Sequence, residues 1–337
     1  MATSKTPAPR PNNARGPASG ARPGTPKTSA AGRPGGRPPK AGKIPKATAR
    51  DWIGGARLRT LPLAIAPVAL GTGAAYLADH SEGWHWVRAL LCLAVAVGLQ
   101  IGVNYANDYS DGIRGTDAYR VGPSRLTGSG AASARSVLIV ALVFFALAGI
   151  AGVIVSVLSG FPWLILVGVA CIIAAYFYTG GKHPYGYYAL GEVFVFVFFG
   201  LVATVGTMFV QVKTVSVEAW VAAVAIGLLA CAVLMVNNIR DAHQDKLAKK
   251  RTLAVLIGNW PSRILFSVVT LLPFVALAGF GVLYPSANYV FFALLAALPA
   301  VIIALTGKTP AEFILVLKLT SLTALIFGVG LAAALAF

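Results

Sequence analysis

The sequence predicts an all-α integral membrane protein: nine transmembrane helices, arranged as two pseudo-repeated halves, behind a basic tail. Three observations predict it. First, hydrophobic residues make up 57% of the 337 positions and charged residues only 12%, with a mean hydropathy of +0.75. That charged share is half of what a soluble domain carries, so lipid is the solvent this composition fits. Second, the chain contains nine apolar runs long enough to cross a bilayer. Third, the basic residues alternate between the loops that join those runs.

The tail comes first. Residues 1–50 hold 11 of the 28 Lys and Arg and none of the 11 Asp and Glu, leaving 17 basic against 11 acidic residues for 51–337. The segment is rich in Pro, Gly, Ala, Ser and Thr and almost lacks large apolar residues. It cannot bury a core, so disorder is expected. Beside a membrane domain, its charge fits an anionic cytoplasmic leaflet rather than nucleic acid. No apolar stretch and cleavage site follow the early charges, which is unlike a signal peptide.

The apolar runs lie near 59–78, 88–108, 136–158, 161–179, 188–210, 217–237, 263–283, 288–306 and 311–337. Gly and Pro recur within them, as membrane helices tolerate. With the tail inside, loops 109–135, 180–187, 238–262 and 307–310 also fall inside and hold Arg114, Arg120, Arg125, Arg135, Lys182, Arg240, Lys246, Lys249, Lys250, Arg251 and Lys308. The opposite loops hold only Lys213. The positive-inside rule therefore agrees with nine spans at every loop. Cys92, Cys171 and Cys231 are far apart inside apolar runs with no CxxC or Cys/His spacing, which makes zinc and disulfide readings poor and small core residues the better one.

Two inside loops are long and polar, and each follows an acidic cluster. The first cluster runs from Asn104 through Asn107, Asp108 and Asp111 at the end of the second span. Spacings of four and three put Asn104, Asp108 and Asp111 on one helical face. The second holds Asn237, Asn238, Asp241 and Asp245 at the end of the sixth span, where Asn238, Asp241 and Asp245 share a face. Like charges at these spacings repel, and proximity to the membrane adds a desolvation cost. A divalent cation with oxygen ligands offsets both, and magnesium takes one or two carboxylates with phosphate oxygens and water. Two such clusters facing each other are suited to hold a diphosphate between metal ions. Arg120, Arg125 and Lys246 follow the clusters and fit phosphate binding, although the positive-inside rule alone would also place them there.

The two motifs, N-x-x-x-D-x-x-D and D-x-x-x-D, together with the span count, resemble the UbiA superfamily of intramembrane prenyltransferases. Further segments are similar to its 1,4-dihydroxy-2-naphthoate polyprenyltransferases of menaquinone biosynthesis: Arg57 to Pro62, Asn104 to Arg125, Tyr178 to Gly181, Pro184 to Glu192, and Asn237 to Leu253. The resemblance covers residues 50–337. It implies a UbiA-type bundle in the cytoplasmic membrane. The implied reaction joins polyprenyl diphosphate to 1,4-dihydroxy-2-naphthoate, with Mg²⁺ as cofactor and loss of pyrophosphate and carbon dioxide. It also implies that Asn104, Asp108, Asp111, Asn238, Asp241 and Asp245 are the metal residues, with Asn107 and Asp117 beside them. Arg59, Arg120, Arg125, Lys182, Tyr178 and Lys246 are the implied substrate residues. Some relatives carry a Lys where this chain has Gly186, and Lys182 is the nearest replacement in sequence. Glu192, inside the fifth span, is expected to pair with Arg or Lys, and Tyr178, Tyr185 and Tyr187 to lie nearest the site. Another aromatic acceptor, or an ion-coupled transporter, would also use carboxylates in a membrane. Transporter sites lie near the midplane, whereas these clusters sit at one face.

Overall fold

The computed structural model of the protein describes residues 45–79, 85–116 and 125–337. No strand occurs among them. A short helix α1 (Ala49–Gly55), closed by a capping box between Thr48 and Asp51, leads through a 3₁₀ turn (Leu58–Thr60) into α2 (Pro62–Ala78). Pro62 fits the first helical position, where no N–H is needed. Next come α3 (Trp86–Ile113), α4 (Ala134–Ser159) and α5 (Leu164–Phe177). The following span joins α6 (Gly191–Val195), a π-helical stretch (Phe196–Val202) and α7 (Ala203–Val212). The longest helix is α8 (Val217–Leu247, 31 residues), followed by the short α9 (Leu253–Ile257). The remaining spans are α10–α11 (Asn259–Leu271, Pro273–Leu283), a 3₁₀ stretch with α12 (Pro285–Ala293, Leu294–Thr306) and α13 (Pro310–Ala336).

All nine apolar runs are helical, but they do not all meet the length of a full crossing. Seven helices among the described residues are long and apolar enough, and an eighth if α1 and α2, bent by 46° at their junction, count as one span. The run at 161–179 forms the 14-residue α5, about 21 Å long against roughly 30 Å of hydrocarbon.

Central placement of α8 follows from its sequence. It is built from Ala, Val, Leu and Gly, and 72% of its most apolar window is buried, against 17% for α3. Small residues set close contacts around it. A Cβ at Gly200 would lie 2.7 Å from Gly227 Cα. At Gly71 and Gly73 a Cβ would meet the Thr204 and Ala332 carbonyl oxygens at 2.3 and 2.4 Å, so α2 lies against α7 and α13. Phe266, Phe327, Leu70, Met208 and Leu229 fill the larger core, while Ile101, Tyr105, Val137 and Phe145 fill a smaller one between α3 and α4. Ile139, Leu142, Val143, Leu147, Ile150 and Val153 are exposed along α4, a one-sided apolar stripe that suits lipid.

Candidate active site

The end of α3 and the end of α8 line one cavity of about 360 Å³. Asn104, Asn107 and Asp111 face it from α3, and Asn238, Asp241 and Asp245 from α8. The two acidic motifs are joined by Lys250. Its Nζ lies 3.1 Å from Asp111 Oδ1 and 4.0 Å from Asp245 Oδ1. Lys249 makes this possible: its positive φ of 58° turns the chain back after α8, and the Lys250 N–H donates to the Asp245 carbonyl at 2.8 Å.

Asp111 has three side-chain partners. Arg125 Nη1 donates to its Oδ2 at 2.7 Å and to the Asn107 carbonyl at 2.7 Å. Tyr187 donates its hydroxyl to Oδ1 at 2.8 Å. The Tyr187 ring carries Lys250 Nζ 4.7 Å from its centroid and the Arg114 guanidinium at 5.5 Å. Burial first, and then the Asp111 charge, hold the Tyr187 phenol well above its ordinary pKa, so it remains a donor. Arg114 donates to the carbonyls of Thr179 and Gly181, and Thr179 donates to Asn107 Oδ1 at 2.7 Å. On the other side, Arg240 forks onto its neighbour Asp241 at 2.8 and 2.7 Å. Asn104 Nδ2 donates to the Ala56 carbonyl at 2.9 Å, tying α3 to the turn before α2.

Several residues differ from their sequence expectation. Asp108 does not line the cavity. Its two carboxylate oxygens accept the backbone N–H groups of Leu126 and Thr127 at 2.9 and 2.8 Å, so it holds the loop that carries Arg125. Lys182 and Lys246 are exposed and off the cavity wall, and Arg57 rather than Arg59 lines it. Glu192 accepts from Asn238 Nδ2 at 2.9 Å rather than from Arg or Lys. Arg120 and Asp117 lie outside the described residues. Gly186 is explained locally: a Cβ there would sit 2.7 Å from the Tyr178 carbonyl oxygen, so a Lys would need the backbone to move. Lys250 brings an ammonium to the carboxylates instead.

Sequence reasoning missed Lys250. It lies in the basic run 249–251, where composition does not distinguish it from its neighbours.

Aromatic rings form another wall. Tyr178, Tyr185, Tyr187, Phe194 and Phe198 all line the cavity. Tyr185 stacks on Phe194 with centroids 4.0 Å apart and meets Tyr178 edge-on at 5.5 Å. The π-helical stretch adds Phe198 and Phe199 to this wall, a use of irregular helix found at functional sites.

Among the described residues, no group of three or more His, Cys, Asp or Glu is placed to hold a metal ion. The cavity's oxygen donors are divided between two walls, Asp111 and Asn107 on one helix and Asp241, Asp245 and Asn238 on the other, with no three described carboxylates close enough to share one ion. That set fits magnesium, which completes its shell with phosphate and water.

Comparison with known proteins finds both a family and solved relatives. The family model described as the UbiA prenyltransferase family matches residues 64–312. A 1,4-dihydroxy-2-naphthoate octaprenyltransferase of Mycobacterium tuberculosis is 48% identical over 85% of this chain and 97% of its own length. In fold, the chain is similar to two solved UbiA homologues. The apo protein from Aeropyrum pernix K1 has a TM-score of 0.61 at 17% identity, covering 80% of this chain and 97% of that one. The protein from Archaeoglobus fulgidus, bound to DMAPP and Mg²⁺, has a TM-score of 0.57 at 15% identity, covering 84% and 99%.

Proposed function

The chain belongs to the UbiA prenyltransferase family, and on that premise we propose that it joins a polyprenyl group from polyprenyl diphosphate to 1,4-dihydroxy-2-naphthoate. One observation carries the chemistry: two acidic motifs face a single cavity, are bridged by Lys250, and adjoin a wall of aromatic rings. The acceptor follows the name of the 48% identical relative.

Asp111 and Asn107, with Asp241, Asp245 and Asn238, would hold the metal. Magnesium, when bound, neutralises the diphosphate and its leaving oxygen. Arg125 and Lys250 already sit on Asp111 and are placed to turn toward phosphate oxygens. Tyr187 orients Asp111 by its hydroxyl. The carbon–oxygen bond of the donor breaks with its electron pair leaving on pyrophosphate. The allylic cation that remains faces Tyr178, Tyr185 and Phe194, each ring contact contributing about 0.5–2 kcal/mol. The carboxylated ring carbon of the naphthoate then bonds to the cation. Carbon dioxide leaves, its bonding electrons restoring the aromatic ring, and demethylmenaquinol results.

The purified protein with Mg²⁺, octaprenyl diphosphate and 1,4-dihydroxy-2-naphthoate is expected to release carbon dioxide and pyrophosphate in equal amounts, and EDTA is expected to stop both. Turnover of 4-hydroxybenzoate in preference to the naphthoate would refute the acceptor assignment. Unchanged activity in EDTA would refute the metal assignment.

The same reading gives nine crossings, with the bent α1–α2 pair and the short α5 as the two irregular ones, α3 and α8 as equivalent helices of two pseudo-repeated halves, and the acidic ends cytoplasmic. Residues 1–44, which lie outside the described residues, would then set their basic charge against the anionic leaflet, while Ala49 and Arg50 already belong to α1. Deleting 1–43 is expected to leave turnover within about threefold and to weaken binding to anionic vesicles, by about 1 kcal/mol per basic residue near the surface. Loss of folding on deletion would contradict this.

A further inference from the structure

We propose that Gln100, held in place by Thr60, binds a ring hydroxyl of the aromatic acceptor. This rests on the prenyl-transfer reading above and says where the second substrate sits. Gln100 is only 6% exposed and lines the reaction cavity from α3, about 16 Å of helix rise from Asp111. Farther from Asp111 the α3 wall continues with Leu99, Ala96, Val95 and Cys92, so Gln100 is its innermost amide.

Its partners fix which way the amide points. Thr60 donates its hydroxyl hydrogen to the Arg57 carbonyl at 2.9 Å, so toward Gln100 its oxygen can only accept. Gln100 must therefore turn its nitrogen to Thr60, and Nε2 donates to Thr60 Oγ1 at 2.9 Å. Oε1 is left on the other side, with no hydrogen-bond partner among the described residues and not sealed from the cavity. Asn104, one turn nearer Asp111, is fixed in the same way. Its Nδ2 donates to the Ala56 carbonyl at 2.9 Å and to Thr60 Oγ1 at 3.3 Å, which leaves Oδ1 to the cavity. Two amide oxygens thus stand on one face of α3, about 6 Å apart in helix rise, and each lacks a hydrogen to accept.

Of the two substrates, only the acceptor brings such a hydrogen. A polyprenyl diphosphate offers hydrocarbon and, on magnesium, ionised oxygens, and neither can donate to an amide oxygen. Hydrocarbon laid against Oε1 would leave a buried acceptor unpaired, which is costly. 1,4-Dihydroxy-2-naphthoate carries two O–H groups on one ring, and two amide oxygens one helical turn apart suit them. Leu63 and Ala64 of α2, with Leu99 and Val103 of α3, line the cavity beside the amides and suit the faces of a fused ring. A site built to hydrogen-bond a hydroxyl also rejects an analogue that lacks it, because its own polar group is then left unpaired.

Gln100→Leu removes the oxygen and keeps most of the volume. Its KM for the naphthoate is expected to rise about tenfold or more, with KM for octaprenyl diphosphate within about threefold of wild type. Mn²⁺ binding in the presence of pyrophosphate should be unchanged, which also reports that the variant is folded. Equal rises in both KM values, or no rise in either, would overturn the assignment. The two monomethyl ethers of the acceptor, each lacking one O–H, give a readout on wild type alone. At least one should bind about tenfold more weakly than the diol, and Gln100→Leu should lose that difference. Wild type that binds both ethers as well as the diol would overturn the proposal even if the variant fails to fold. If wild type transfers the prenyl group to 4-hydroxybenzoate and not to the naphthoate, the acceptor reading fails. A tenfold rise in KM for 4-hydroxybenzoate in Gln100→Leu would then still support the hydroxyl site, and an unchanged KM would overturn it.

Discussion

Asp111→Asn is expected to lower kcat/KM by about 10³-fold, because one ligand charge at such a site is worth several kcal/mol and each factor of ten is about 1.4. The substitution keeps the shape of the side chain but removes the charge that Arg125, Lys250 and Tyr187 converge on. Stability should fall too, since Arg125 and Lys250 each lose a close ion pair in a largely buried setting. Ligand-induced stabilisation therefore separates the roles. Mg²⁺ with pyrophosphate should raise the Tm of wild type and leave that of Asp111→Asn unmoved. Asp245→Asn, whose partner Lys250 stands 4.0 Å away, should lose the same ligand response with a smaller drop in intrinsic stability. A ligand-induced Tm rise that survives in both variants would remove Asp111 and Asp245 from the metal site.

Asp108→Asn is expected to act in the opposite order, on stability first. Its carboxylate accepts two backbone N–H groups, from Leu126 and Thr127. Asn has one acceptor, so its NH₂ group faces a buried N–H that loses its partner. Hydrogen bonds to a charged group and an unsatisfied buried donor together cost about 2–5 kcal/mol, or roughly 5–15 °C in Tm for a chain of this size. Turnover should fall with it, because the same loop delivers Arg125 to Asp111. The Mg²⁺–pyrophosphate response should persist in the molecules that remain folded. An unchanged Tm with turnover abolished would make Asp108 a metal ligand after all.

The contrast between these two aspartates shows where sequence reasoning stops. At about 100° per residue, Asp108 lies about 60° from Asp111 on one side and Asn107 about 40° on the other. Periodicity groups all of them on one broad face and cannot choose between them. The choice is made by residues 126 and 127, whose backbone claims Asp108, and that contact spans 18 positions. Lys250 was hidden for a similar reason, since a left-handed turn at Lys249 aims it at a carboxylate 139 positions away. Helices were more legible, because twenty apolar residues in a row leave the backbone few alternatives. Even so, hydropathy gave α5 a full span where the chain forms 14 helical residues, because Phe161 to Trp163 carry no charge that would interrupt the run. Apolar character marks what can sit in lipid, and it does not say where the helix begins.

Manganese binding followed by electron paramagnetic resonance tests the central claim most directly. Mn²⁺ takes the same oxygen ligands as Mg²⁺ and reports occupancy without turnover. Wild-type protein should bind Mn²⁺ saturably when pyrophosphate is present, Asp111→Asn and Asp245→Asn should each lose that binding, and folded Asp108→Asn should keep it. Saturable binding that persists in both Asp111→Asn and Asp245→Asn would contradict a metal and diphosphate site between the ends of α3 and α8.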